Sequence, residues 1–418
     1  MEQLNVGIGF ATGRTSFQNV LRAYMYQLDE YRFFWESEHV NLNLFVAYDL
    51  DYSNTKPEDY TQLPAGVQNW FEKCFFLGKQ DIRAAERELV EEGIVKGEEA
   101  GLCFGNGYAA QRNIVVYTAL RSGMDYLIFL DDDEYPMAAT QSGDYVLWSG
   151  QHVIEDHIRY LKFSDITNGF HCGYLSPIPY MEFDNIVSED VFRAFIEALS
   201  NDILNWEDVK AVIENGGVTF ADKKVLMERA ASLVEEINGT KFITGGNLGL
   251  NLTRPEIVFP FYNPPGARGE DTFLSTCLHD VTVKKVPSYT FHDGFAFYRT
   301  LLQGVLPNNL KRIQVYDSQS VIERFYRACI GWARYKPLYT YITRKEDYEA
   351  LMRESRAKLE QTVPQICAYF NEQRFADVLD ELHRYEEQLP VHFEEFQRVK
   401  DVWERMKQFA AGKGRTDG

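Results

Sequence analysis

The sequence predicts an α/β fold: a mostly parallel sheet flanked by helices, followed by an all-helical C-terminal extension. Three observations carry this reading. Apolar runs alternate with segments of helical periodicity through the first third of the chain. One of them, Tyr126–Leu130, is continuously apolar, as a strand buried on both faces of a parallel sheet must be. Beyond about residue 310 strand alternation disappears, and apolar residues recur only at helical spacing.

In order, Leu4–Phe10 is a short apolar strand containing two glycines, and Ser16–Trp35 has apolar and aromatic residues at helical spacing. Leu42–Tyr48 is a second strand with Asp49 and Asp51 just after it, and residues 57–64, bounded by prolines, form a loop. A charged helix spans Asp81–Glu99. Gly101, Gly105 and Gly107 mark a turn before a helix over Ala109–Arg121, and Ser122-Gly123 turns into Tyr126–Leu130. A loop with Pro136, a helix near Gln151–Lys162 and an apolar stretch Ile166–Leu175 follow. Residues 186–238 read as two or three amphipathic helices inserted before a strand at Phe242–Leu252. The Pro- and Gly-rich stretch 262–269 leads to a helix Glu270–His279, a strand Val281–Val286 and its polar tail Tyr289–Gly294. Helices at 318–335, 346–370 and 372–410 complete the chain. We therefore divide it into a body, 1–310, and a helical extension, 311–418.

The 418 residues include 43 Lys and Arg against 62 Asp and Glu, a net charge of −19, which argues against a nucleic-acid-binding surface. A hydrophobic content of 45% supplies a core and excludes disorder as the dominant state. The charge is uneven: residues 1–310 carry −20, residues 311–345 carry +6 and residues 346–418 carry −5. No basic leader precedes an apolar run, and no run approaches the ~18 apolar residues of a spanning helix, so the expectation is a soluble, cytoplasmic chain. Six cysteines lie far apart with no CxxC spacing, which reads as reduced, buried thiols rather than a zinc site or disulfide scaffold.

Four segments carry chemistry. Asp131-Asp132-Asp133-Glu134 directly follows the buried strand, where ligands bind in open α/β sheets. Adjacent carboxylates repel one another unless a cation neutralises them, and hard oxygen ligands suit Mg²⁺ or Mn²⁺. In Gly269-Glu270-Asp271-Thr272 the acids open a helix, whose dipole favours their ionised forms, so a carboxylate is available as general base. Simple capping of the helix by acids explains the same pattern. His292, in Phe291-His-Asp-Gly294, is a residue type that completes a carboxylate metal site. In Gly245-Gly246-Asn247-Leu-Gly249 small residues allow close backbone approach to a ligand. The glycines Gly7, Gly9 and Gly13 have the spacing GxGxxxG, and the next strand-end acids, Asp49 and Asp51, lie well beyond the ~20 residues a dinucleotide-binding fingerprint expects, which disfavours a dehydrogenase.

Taken in order, Gln111-Arg112-Asn113, the strand ending in Asp131-Asp132-Asp133, Gly245-Gly246-Asn247, Gly269-Glu270-Asp271-Thr272 and His292-Asp293-Gly294 resemble the GT-A glycosyltransferases, particularly family 2. The resemblance spans roughly residues 4–300 and is specific over 109–134 and 243–294. It implies a GT-A type, Rossmann-like sheet and a metal-dependent transfer of a sugar from a UDP- or GDP-linked donor to an acceptor hydroxyl on a saccharide or lipid-linked acceptor. It further implies Mn²⁺ or Mg²⁺ held by Asp133 with Asp131 and His292, and Asp271 as the base of an inverting reaction supported by Glu270. Arg112 matches a basic position near the donor, Asp49 or Asp51 a contact to the nucleotide base, and Gly246 and Asn247 the sugar pocket. Gly9, Thr12, Arg14 and Asp132 complete the implied donor set. The opening, Val6 to Arg14, departs from the family's usual Pro-Thr-Tyr-Asn ending.

A retaining GT-A enzyme, a sugar nucleotidyltransferase and an inactive binding protein are the competing readings. Residues 311–345 interleave Arg324, Arg327, Arg334 and Lys336 with Phe325, Trp332, Tyr335 and Tyr339. We favour a packed helix with its aromatics inward; a peripheral contact with an anionic membrane surface, or a grip on a phosphate-bearing acceptor, is the alternative. The C-terminal helices also offer a surface for self-association.

Overall fold

The computed structural model describes residues 3–30, 35, 39–200, 206–298, 301, 304–315 and 319–414. Strand β1 (Leu4–Thr12) lies in the middle of a parallel block, pairing with β2 (Val40–Tyr48) on one side and β4 (Tyr126–Phe129) on the other. Strand β3 (Lys73–Leu77) extends that block beyond β2. Helix α1 (Phe17–Glu30) joins β1 to β2, α2 (Lys79–Glu91) follows β3, and α3 (Tyr108–Arg121) leads into β4. The side chains of β4 are buried on both faces, which is why its sequence is uninterruptedly apolar. Gly9 lies in mid-strand: a Cβ there would come within 3.0 Å of Val115 and 3.1 Å of Phe129, so this glycine lets α3 approach β1. It is a packing residue, which corrects its assignment to the donor site.

Beyond β4 the chain turns through β5 (Glu134–Tyr135), a hairpin of β6 (Met137–Ser142) and β7 (Tyr145–Gly150), helix α4 (Val153–Leu161) and strand β8 (Ile166–Gly173). The inserted region holds α5 (Glu189–Leu199), α6 (Trp206–Glu214), α7 (Lys223–Glu228) and the two-residue β9 (Ser232–Leu233). Strand β10 (Leu248–Asn251) runs antiparallel between β4 and β8, and after α8 (Glu270–Ser275) the long β11 (Val283–His292) pairs parallel with β8. The main sheet is thus nine-stranded among the described residues, ordered β3-β2-β1-β4-β10-β8-β11-β5 with β9 on β11, and most of its strands point one way.

Several boundaries differ from the sequence reading. The loop drawn after the acids contains the β6–β7 hairpin, turned by Gly143 at φ +60°. The strand expected over Phe242–Leu252 is regular only from Leu248, because the preceding glycines and Asn247 form an irregular turn. The helix expected to run to His279 ends at Ser275, and Val281–Val286 with its tail is one strand whose register shifts between Lys285 and Tyr289, around Pro287. The periodicity over Ser16–Trp35 is helical as far as Glu30, and residues 31–34 lie outside the described ones.

Four helices follow among the described residues of the C-terminal segment: α9 (Gln319–Thr343), α10 (Tyr348–Phe370), α11 (Asp377–Glu387) and α12 (Leu389–Gly414). The last two replace the single helix expected over 372–410, with Pro390 in the first turn of α12. These helices share one hydrophobic core with α3 and the sheet. Trp403 is buried and its Nε1 donates to Val258 O at 2.9 Å, and Lys407 Nζ donates to Glu256 O at 3.0 Å. Trp403→Ala is expected to destabilise the protein by about 3–5 kcal/mol in denaturant unfolding, because it opens a cavity beneath α12. Phe325, Tyr335 and Tyr339 face inward, Arg327 pairs with Glu323 and Arg334 with Glu381, so α9 is a packed helix. No helix among the described residues is long and apolar enough to cross a membrane. All six cysteines are free; Cys74 and Cys277 are only half-buried.

Candidate active site

The acids that follow β4 leave the sheet at its carboxyl edge, and each finds a different partner. Asp131 Oδ1 accepts from Arg112 Nη2 at 2.8 Å. Asp132 is buried and accepts from Thr12 Oγ1 at 2.5 Å and Arg14 Nη1 at 2.8 Å. Asp133 Oδ2 accepts from the same Arg14 nitrogen at 2.7 Å. Glu134 turns inward, accepts from the Thr290 hydroxyl at 2.7 Å and lies 3.1 Å from His171 Nδ1.

These partners divide the charges. Burial pushes the Asp132 carboxyl up to about 6, with Arg14 opposing. Burial works against the Arg14 charge, yet Asp132 and Asp133 outweigh it and raise its pKa. For Glu134 burial again favours the neutral acid, but His171 and the Thr290 hydroxyl bring it down to about 2. The acidic run is therefore partly neutralised by the chain's own cations, and Asp133 keeps one oxygen clear of Arg14.

That oxygen, Oδ1, lies 3.5 Å from His292 Nε2. His292 Nδ1 is 2.7 Å from Tyr174 O, and a carbonyl can only accept, so Nδ1 carries the proton. Nε2 then faces a carboxylate oxygen. A ring nitrogen in that position either carries a proton and pairs with the carboxylate or, when bare, shares a cation with it. A ligating histidine held by a carbonyl at its other nitrogen is the usual support of a metal site. Among the described residues no three His, Cys, Asp or Glu side chains gather into a cage. Two protein donors nonetheless fit Mg²⁺ or Mn²⁺, which keep waters and take phosphate oxygens. Asp131, paired to Arg112, is not placed with them, which corrects its assignment as a ligand.

Asp271 stands in the first turn of α8, after Gly269 at φ +93°, a conformation that glycine tolerates. Its Oδ2 accepts from Gly245 N at 3.0 Å and its Oδ1 from Thr272 N at 2.8 Å. Burial raises its carboxyl to about 6 and the neighbouring Glu270 adds to this, against Arg112 and the two N–H donors. The helix start alone predicts a readily ionised acid; desolvation and like charge outweigh it.

Arg112 links the acidic segments. It is buried, donates through Nη1 to Gly245 O at 2.6 Å, and its Nε lies 3.5 Å from Glu270 Oε1. It is a strut beneath the site rather than an exposed donor contact. Gly246 touches Asp131: a Cβ there would fall 2.6 Å from Asp131 Oδ2, so glycine is required.

A cleft of about 530 Å³ opens beside these groups, lined by Arg14, Ser16, Asp132, Asp133, Asp293 and Gly294. Thr12 is fully buried behind Asp132 and positions it. Asp49 Oδ1 accepts from Asp51 N at 3.0 Å, and Asp49 lines a small recess with Tyr52 and Tyr108. Asp51 is exposed and bound to Lys79 at 2.5 Å, and it is not among the residues that line the cleft. Asn247 is also placed elsewhere. Its side chain is buried, Nδ2 donates to Phe170 O at 2.9 Å, and Oδ1 lies 2.8 Å from His157 Nε2. Burial lowers His157 to about 4, so its neutral ring donates to Asn247. The residue is a core plug at φ +49°, a conformation asparagine adopts readily.

Sequence reasoning missed His171 and Thr290, and it named Arg324 only as one of several cations in the segment 311–345. His171 carried a signal: Thr167, Asn168 and His171 interrupt an otherwise apolar stretch, and polar residues within a buried strand mark a network. The chain matches no protein-family model and no curated protein.

Proposed function

We propose that the protein is a metal-dependent glycosyltransferase that moves a sugar from a UDP- or GDP-linked donor to an acceptor hydroxyl, with inversion. The observation that carries this reading is the approach of Asp133 Oδ1 to His292 Nε2, 3.5 Å apart at the carboxyl edge of the sheet beside an open cleft. Asp133 and His292 would hold Mn²⁺ or Mg²⁺ together with the donor's diphosphate oxygens. Once bound, such an ion supplies the positive charge that a departing diphosphate needs in place of a proton.

The remaining steps belong to the chain. Arg14 is anchored by Asp132 and Asp133 and brings a guanidinium to the cleft wall, reversing locally the field of a body that carries −20. Asp271, held in orientation by Gly245 and Thr272, takes the proton of the attacking hydroxyl. With its pKa near 6 it is ionised at neutral pH yet basic enough to accept that proton. Holding donor and acceptor together supplies the orientation term. The acceptor in this reading is a saccharide or a lipid-linked sugar.

Incubation with Mn²⁺ and a panel of nucleotide sugars tests the assignment. Slow release of nucleoside diphosphate is expected with one donor. Pyrophosphate exchange in place of that release would make the protein a nucleotidyltransferase.

A further inference from the structure

Arg324 belongs to α9, outside the body that holds the acids, and it carries an unmet hydrogen-bond donor. Its Nη1 is buried and has no hydrogen-bond partner, while Nη2 donates to Tyr174 O at 2.8 Å. That carbonyl also accepts from His292 Nδ1, so guanidinium and imidazole hang from one oxygen. The two groups flank Gly294, where a Cβ would fall 2.5 Å from His292 Cε1 and 2.7 Å from Arg324 Nη1. Gly294 is itself part of the cleft wall beside Asp132 and Asp133.

The charge on Arg324 is also uncompensated. No carboxylate is ion-paired with it among the described residues, and the neighbouring Asp293 uses both oxygens to accept from the backbone N–H groups of Phe297 and Tyr298 at 2.9 and 2.8 Å. The guanidinium is instead stacked 4.3 Å from the Phe295 ring centre. Burial lowers its pKa to about 10; the field of Asp133 supports its charge, while Arg268 and Arg14 oppose it. A buried guanidinium with a free donor and two like charges nearby is destabilised until an anion arrives. Its planar fork matches phosphate oxygens.

We infer that α9 delivers Arg324 to the cleft as a phosphate-binding residue, so that a diphosphate is gripped between Arg324, Arg14 and the Asp133–His292 pair. The identity of that diphosphate as the donor's leaving group rests on the proposed function. The C-terminal helical segment is then part of the donor site.

Titration calorimetry on the full chain with Mn²⁺ tests this, using inorganic pyrophosphate, UDP and GDP as probes. Arg324→Gln is expected to weaken binding by about 30-fold, the loss of one charge-assisted hydrogen bond. Arg324→Lys is expected to retain only part of the wild-type affinity, and Arg327→Gln, at an exposed position, is expected to bind as the wild type does. Removing an uncompensated buried charge should leave the melting temperature of Arg324→Gln unchanged or higher, whereas a purely structural clamp would lower it and spare affinity. Pyrophosphate affinity within threefold of wild type in Arg324→Gln overturns the inference; if that variant does not melt cooperatively, unchanged affinity in Arg324→Lys does so. Wild-type protein that binds pyrophosphate but neither nucleoside diphosphate keeps the Arg324 subsite and removes the donor assignment. Wild-type protein that binds none of the probes overturns both.

Discussion

Asparagine in place of Asp271 is expected to slow sugar transfer by about 10²–10⁴-fold, the usual range for a lost general base. Donor affinity should stay unchanged, because the amide oxygen can still accept from Gly245 N and the diphosphate subsite is untouched. In the wild type, kcat/KM should rise with pH through about 6, since the folded carboxyl must lose its proton before it can take one. The same shift has a stability counterpart. A carboxyl whose pKa is raised on folding binds its proton more tightly in the folded state, so the ionised form costs stability once pH climbs above the ordinary carboxylate range. Asp271→Asn should therefore melt no lower than wild type at pH 5 and higher at pH 8. A variant that transfers normally, with its flat melting profile intact, would remove the base assignment and favour a retaining reaction.

The second large effect concerns Asp133 and His292. Asp133→Asn or His292→Ala is expected to lower transfer by about 10²–10³-fold, the scale of losing one electrostatic stabiliser of the transition state. A readout independent of turnover is available. Mn²⁺ at a hundred times its dissociation constant should stabilise the wild-type fold by about 2.7 kcal/mol, and thermal melting should show that gain vanish in both variants. Donor affinity that survives chelation by EDTA unchanged would sink the metal assignment.

The parts of this site that were legible in the sequence are those where local pattern and tertiary role coincide. Tyr126–Leu130 must be continuously apolar because both its faces are covered, and acids directly after such a strand have few places to go but the sheet edge. Asp271 sits at the start of a helix that its flanking glycine announces, whereas His292, read as part of a polar tail, closes a strand longer than the pattern showed. Asn247 was illegible for the opposite reason. A polar residue between glycines reads as a ligand contact, and only the fold shows its amide enclosed by His157 and Phe170. Arg112 looked like a free cation, yet Asp131 and Glu270 converge on it from distant segments. Lys73–Leu77 is too short to declare itself a strand without its neighbour β2. Arg324 shares its local mark with the other cations of the +6 segment, and only the packing of α9 brings it, and not them, to Gly294.

The shared core has a consequence for how the protein is made. Cys103 Sγ, near the start of α3, meets Val399 O in α12, 296 residues later in the chain. At about 5–20 residues per second, a ribosome needs roughly 15–60 s between those two points. Throughout that interval the side of α3 that meets α12 has no cover, and a strand-rich intermediate with open edges must be kept from its neighbours. Production of active protein should accordingly respond to growth temperature and to chaperone supply more strongly than the finished fold's stability would suggest.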